Sequence, residues 1–420
     1  MDSSADYFAD PAVIDDPHSF FDSMRSKAPV QREPYHGAIM VTGYEEIFDI
    51  LRQKGAFSSC VSVVGPIPPL PFESDGDDIR EQLEQHRESL PWAAHLVSFD
   101  GAKHTAHRAL LTRLLTPRRL RENRDYLAAL ADKVIDRFID SGRCEVHSQF
   151  AHATSTYAIS DLMGIPEADR AELLTLLGAP PSQIGGDAQH KLGPDPLVFL
   201  EQRFLGYLRA RQEHSGTDLM TELAQSRFAD GSTPDVVALA QLARFLFGAG
   251  QDTTARLLSM ATLILAEAPA LQERLRRDPD RIPDFLEETL RFDSPTKVIY
   301  RLALTRTKVG DVEVPAGSVL ALCLTSANRD PKHFEHPERF DIDRVKVRDH
   351  LSFSVGIHAC LGAPLARLEA RTAIERLLDR LEGIRLSEAQ HGPPGKRHFN
   401  FEPTYSFRSL SDLHVEFSRR

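Results

Sequence analysis

Apolar residues recur three or four positions apart over residues 127–139, 197–213 and 363–381, the spacing of helices that bury one face. The longest such pattern begins at Thr233, read as an N-cap with Pro234 in the first helical position and Asp235 beside it, and runs to about Ala268, where Pro269 stops it. At 1.5 Å per residue this predicts a helix of roughly 50 Å, enough to cross the molecule. Leu242, Phe245, Leu246, Ala249, Thr253, Leu257, Met260 and Ile264 form its apolar stripe. Gly248, Gly250 and the β-branched pair Thr253-Thr254 weaken its centre, so a local disruption is expected there. Alternating β-branched residues mark a strand over 37–42, followed by a helix over 44–54. Residues 305–309, 312–314 and 318–324, separated by turns at Gly310-Asp311 and Pro315-Ala-Gly317, read as a meander, and 399–417 as an irregular β region. The expected fold class is mainly α with small β-sheets.

No Gly/Ser-rich linker, repeat or low-complexity tract divides the chain, so residues 1–420 are expected to form a single domain. Two segments read as covers: residues 178–196, Gly/Pro-rich and too long for an ordinary connection, and residues 64–92, with Pro66, Pro68, Pro69 and Pro71, then an acidic stretch and Trp92 as half-buried packing or a pocket wall.

With 41% hydrophobic residues in 420, the chain can bury a core that encloses a ligand. A net charge of −11 argues against nucleic acid or an anionic membrane as partner. Cys60, Cys144, Cys323 and Cys360 show no paired spacing, which fits reduced thiols and a cytoplasmic location. The acidic, proline-broken N-terminus has neither a basic leader nor a spanning apolar run, so no membrane anchor is expected.

Cys360 carries the chemistry. It lies in Phe353-Ser-Val-Gly356-Ile-His358-Ala-Cys360-Leu-Gly362, immediately before a helical pattern. Glycines on both sides allow positive φ and a close wrap of amides around a thiolate. One reading is a buried cysteine acting as a small hydrophobe. The other is a metal ligand, and an axial thiolate on haem iron favours O–O cleavage. Three further patterns accompany it in order: His104-Thr-Ala-His-Arg108 on one helical face, Glu288-Thr-Leu-Arg291 at i,i+3, and Pro337-Glu-Arg-Phe340 after Asn328-Arg-Asp-Pro331. In these motifs, spread over nearly the whole chain, the sequence resembles the cytochrome P450 family. One departure is Ser354, where the family usually has glycine.

The resemblance implies the family's helix-rich triangular prism, with haem b held between the long central helix and the cysteine loop. Cys360 would ligate iron; Phe353, Gly356 and Gly362 would shape the proximal face; His104, Arg108, Arg301 and His358 would meet the haem propionates. Glu288, Arg291 and Arg339 would form a buried ion network. Ala249-Gly-Gln-Asp252-Thr253 matches the family's oxygen-activating segment, with Asp252 relaying protons and Thr253 orienting their delivery. Pocket residues by analogy are Leu96, Val97, Phe247, Gly248, Ala249, Val298, Ile299, Ser406 and Phe407. Their apolar character favours a terpenoid, steroid, fatty acyl or alkylaromatic substrate. The implied protein is a soluble bacterial-type monooxygenase, expected as a monomer, that hydroxylates or epoxidises with O2. Its electrons would come from NAD(P)H through a reductase and a ferredoxin- or flavodoxin-type donor. Alternatives are a non-catalytic haem-thiolate gas or lipid sensor or carrier, and a peroxide-using or phenol-coupling enzyme. Arg113, Arg118, Arg119 and Arg348 are a candidate docking patch for an acidic electron donor.

Overall fold

The structure, a computed structural model, describes residues 5–177, 197–213, 216 and 218–420. The expected cover at 178–196 lies outside the described residues. Helices dominate, and the strands gather in three small sheets. Among the described residues no single helix is long and apolar enough to cross a membrane.

The central helix runs Val236–Glu267 and is buried on most of its circumference, as a helix apolar nearly all round must be. It starts two residues later than expected. Asp235, not Thr233, is the cap, accepting from the Ala238 amide at 3.3 Å, while the Thr233 hydroxyl accepts from Arg227. The expected disruption around Gly248–Thr254 is absent, and the helix is continuous through both glycines. The glycines accommodate neighbours instead of breaking the helix: a Cβ on Gly248 would lie 2.6 Å from the Leu197 side chain, and one on Gly250 would touch Ile159 at 3.5 Å.

The expected meander is also corrected. Thr307–Val309 and Val312–Val314 pair only with each other. Val319–Cys323 instead lies between Ile39–Val41, parallel, and Val298–Ala303, antiparallel, in a five-stranded sheet completed by Val30–Arg32 and Phe57–Ser58. Its near-continuous apolar run suits a strand enclosed on both faces. Of 399–417, most forms turns and isolated bridges, and the regular strand is His414–Arg419, paired with Leu381–Leu386 and Arg143–Glu145. The segment 64–92 contains the helix Arg80–His86 and is tied down by Arg87, which pairs with Glu84 and Asp100. Trp92 is half-buried, with its ring 6.2 Å from that of His95.

Behind the cysteine loop lies a buried ion network. Glu288 and Arg291, on the helix Ile282–Phe292, are fully buried and meet in a two-bond fork at 2.7 and 2.8 Å. The third charged member is Arg344, whose Nε lies 3.2 Å from Glu288, and not Arg339. Arg339 offers only its carbonyl, to Arg291 and Arg344, while its guanidinium is 72% exposed beside Glu338. The chain folds back between Asp341 and Arg344, and this turn aims the later arginine inward. Removing one partner from a buried ion network costs about 3–5 kcal/mol. Arg344→Ala should therefore destabilise the protein by about 3 kcal/mol, since Arg291 remains, whereas Arg339→Ala should change stability by less than about 0.5 kcal/mol. Denaturant unfolding of the two variants checks this.

Candidate active site

The Cys360 loop is shaped by close approach. Gly356 has φ +76°, and a Cβ there would stand 2.3 Å from the Leu51 carbonyl oxygen, so only glycine fits. Gly362 has helical dihedrals, φ −80° and ψ −3°, because it caps the helix Ala363–Arg380; its missing side chain leaves the sulfur uncovered and supplies no left-handed turn. The Cys360 amide donates to the Phe353 carbonyl at 2.8 Å. Burial pushes the thiol pKa up, against amides of Gly362 and Ala363 and the charges of Arg108 and Arg367 that favour the thiolate. Cys60, Cys144 and Cys323 are buried in apolar clusters, whereas Cys360 keeps accessible surface.

Phe353 is held from behind by Arg367, whose guanidinium lies 4.5 Å from the ring centroid. Arg367 in turn grips Glu287 at 2.5 and 2.9 Å, and His350 lies 3.1 Å from the same carboxylate. Burial alone would raise the Glu287 pKa, but these two partners hold it at about 2. Glu287, His350 and Arg367 are absent from the sequence-derived site. The available signal was position: Glu287 neighbours Glu288, and Arg367 follows Cys360 by seven residues, two helical turns on.

Across the loop, four basic side chains converge. The rings of His104 and His358 are 4.1 Å apart, and Arg108 donates to the Ala359 carbonyl at 2.6 Å. Arg301 is buried, donating to the Tyr300 carbonyl and the Ser62 hydroxyl. Burial and then the charges of Arg301, His104 and Arg108 push the His358 pKa down to about 3; burial takes that of Arg301 down to about 10. Among the described residues none of the four forms an ion pair, and the carboxylate acting on His104 and Arg301, Asp100, is bound by Ser58, Ser59 and Arg87. Such a cluster of enclosed cations is complete only with an anionic ligand.

On the central helix, Ala249 is exposed among buried and half-buried neighbours. Thr253 is half-buried, its hydroxyl donating to the Ala249 carbonyl at 2.8 Å. Asp252 is gripped by Arg256, with both oxygens 2.9 Å from guanidinium nitrogens. Of the expected pocket residues, Val97, Ile299 and Phe407 are half-buried and Ala249 is exposed, whereas the others are sealed into packing. Phe247 is fully buried against Phe204, ring centroids 5.5 Å apart, and Gly248 is buried where it abuts Leu197. Leu96, Val298 and Ser406 are 5%, 1% and 3% exposed. Strand alternation turns Val298 away from the face of Ile299.

Ser354 adopts φ +56°, and its buried hydroxyl has no partner. A left-handed non-glycine residue costs about 1–2 kcal/mol, and the orphaned hydroxyl adds to that. Ser354→Gly should therefore raise stability by about 1 kcal/mol, after allowing for glycine's greater unfolded-state entropy. Gly356→Ala should instead lose ligand-loop structure. Thermal unfolding compared across the pair tests both.

The comparisons with known proteins agree with this geometry. The family model described as cytochrome P450 matches residues 201–396. The biotin biosynthesis cytochrome P450 of Bacillus subtilis is 29% identical over 410 residues, covering 96% of this chain and 97% of that protein. The cyclomarin C epoxidase CymV of Salinispora arenicola is 31% identical, covering 88% of this chain and 90% of its own. The solved structure of substrate-free CYP150A6, a cytochrome P450 of Mycobacterium marinum, superposes with a TM-score of 0.93 at 43% identity, covering 99% of both chains. Members of this family hold a thiolate-ligated haem and act on lipophilic substrates with O2; an accessible cysteine beside basic side chains that form no ion pair among the described residues fits such a group, and the chain belongs to the cytochrome P450 monooxygenase family.

Proposed function

We propose that residues 1–420 work as one cytoplasmic, monomeric monooxygenase that binds haem b through Cys360 and oxidises a lipophilic small molecule, by hydroxylation or epoxidation. The observation that carries the reading is that Cys360 keeps accessible surface in a glycine-shaped loop beside His104, Arg108, Arg301 and His358, which form no ion pair among the described residues. The haem supplies the oxygen-activating and electron-accepting chemistry. His104, Arg108, Arg301 and His358 neutralise its carboxylates, whose charge offsets the burial and, after it, the neighbouring positive charge that depress the histidines. The amides of Gly362 and Ala363 donate toward the sulfur and hold it as thiolate. On the opposite face the Thr253 hydroxyl, now donating to Ala249, accepts and passes on a proton-bearing hydrogen bond, and Asp252 refills it from solvent. This pair favours an enzyme over a haem-thiolate carrier, which needs no directed protons.

Val97, Ala249, Ile299 and Phe407, the expected pocket residues that keep accessible surface, are apolar, which favours a terpenoid, steroid, fatty acyl or alkylaromatic substrate. A relative named for biotin biosynthesis and another named as an epoxidase support the same breadth. Electrons from NAD(P)H would arrive through a reductase and a ferredoxin- or flavodoxin-type donor. Arg113 lines a crevice of about 520 Å³ with Arg108, Gly356 and Ile357, and suits docking of an acidic donor. Arg118 and Arg119 suit it less, since Glu122 and Glu222 pair with them.

Cys360→Ser should abolish the red-shifted band of the reduced carbon monoxide complex, while serine at Cys60, Cys144 or Cys323 should leave it; survival of the band in Cys360→Ser overturns the ligand assignment. With a substrate chosen by Soret shift from a panel of lipophiles, Thr253→Ala should keep consuming NAD(P)H while product per NAD(P)H falls on the order of tenfold, the scale of a lost positioned proton donor. Coupling as tight as wild type would remove Thr253 from proton delivery.

A further inference from the structure

Arg256 is an unexpected residue to find beside the proton-handling segment. Its side chain is 2% exposed, yet it carries a full charge and is claimed by two carboxylates. Asp252, one turn earlier on the central helix, takes Nε and Nη2 at 2.9 Å each. Glu402, from the C-terminal irregular segment, takes Nη1 at 2.9 Å. The Phe407 ring centroid lies 5.3 Å from the guanidinium carbon and shields it. Accessibility is unequal across the three: Asp252 is 29% exposed, Glu402 13% and Arg256 2%, so Asp252 is the member that can leave.

In its present position Asp252 is of little use as a proton carrier. Both its oxygens are engaged by the guanidinium. To deliver a proton to Thr253 it must release Arg256, which would strand a buried cation without a second anion. Glu402, bound to Nη1, is that second anion. Resting on the relay reading of Asp252, we infer that Arg256 and Glu402 are positioning residues for proton delivery: Arg256 clamps the Asp252 carboxylate, and Glu402 lets it go.

The other charged group bearing on Arg256 is Lys297, from the entry to the strand Val298–Ala303, whose ammonium donates to the Thr404 carbonyl at 2.7 Å. Burial first, then Arg408 and Arg256, push its pKa down to about 7, against the opposing pull of Asp293. It contributes little positive charge above neutrality, so Arg256 is the cation that decides the state of Asp252.

The two positioning residues act with opposite sign. Arg256→Gln removes the cation that engages both Asp252 oxygens, so Asp252 is freed and the acid limb of O2 consumption should move up by about one pH unit. Glu402→Gln removes the competing anion, so Asp252 is held harder and that limb should move down. The experiment uses the haem-loaded protein and reads two things across pH. One is the infrared carboxyl band that Asp252→Asn eliminates. The other is basal O2 consumption driven by NADPH through a surrogate ferredoxin and its reductase. The inference requires the Asp252 band and the acid limb of O2 consumption to move up in Arg256→Gln and down in Glu402→Gln. Shifts in one common direction, or none, with haem content retained and Asp252→Asn still impaired, overturn the clamp and leave the relay standing. If Asp252→Asn itself consumes O2 as wild type does at every pH, the relay reading falls and takes the clamp with it.

Discussion

The Glu288–Arg291 fork is the constraint on which the site's proximal side depends. Both side chains are completely buried, so neither charge is tolerable without the other. Arg291 spends its remaining donors on the carbonyls of Asn328, Pro337 and Arg339, which ties the long connection 328–344 onto the helix Ile282–Phe292. Asn328 then passes the constraint on: its side chain accepts from the Leu351 amide and donates to Ser352, whose hydroxyl bonds the Leu290 carbonyl. Leu351 and Ser352 begin the loop that carries Cys360. The cysteine is therefore placed by a chain of obligatory polar pairings that starts from one buried ion pair.

A second organising fact is the uneven distribution of charge around the site. Behind the loop, Glu287 is doubly satisfied by Arg367 and His350. Beside the loop, His104, Arg108, Arg301 and His358 form no ion pair among the described residues. On the central helix, Arg256 has two carboxylates. The basic groups beside the loop fit an anionic cofactor, while on the central helix two carboxylates share one guanidinium. Both follow from the same principle, that enclosed charge must find a counter-charge.

Much of this was legible in the sequence where a local rule sufficed. The helices over 127–139, 197–213 and 363–381 were found to within a few residues because their apolar periodicity acts over one or two turns. The central helix was legible in existence and length, but its glycines were misread as weakness. Propensity costs of about 1 kcal/mol per glycine are overridden when the missing Cβ admits Leu197 and Ile159. The strand 319–323 was visible as a strand, yet its partners were not, since pairing with Ile39–Val41 joins segments nearly 280 residues apart in sequence.

What the sequence determined by itself was the family, the mainly helical class, the cysteine loop and the acid–alcohol pair, because each is written in contiguous residues whose spacing fixes their mutual geometry. Only the tertiary structure decided which side chains complete those pieces. It replaced Arg339 with Arg344, removed Phe247 and Gly248 from the pocket wall, and brought Glu402 to Arg256 across 146 positions of chain. Those outcomes depend on burial, which forces every charge and every ring to find a partner in space, whatever its distance along the chain.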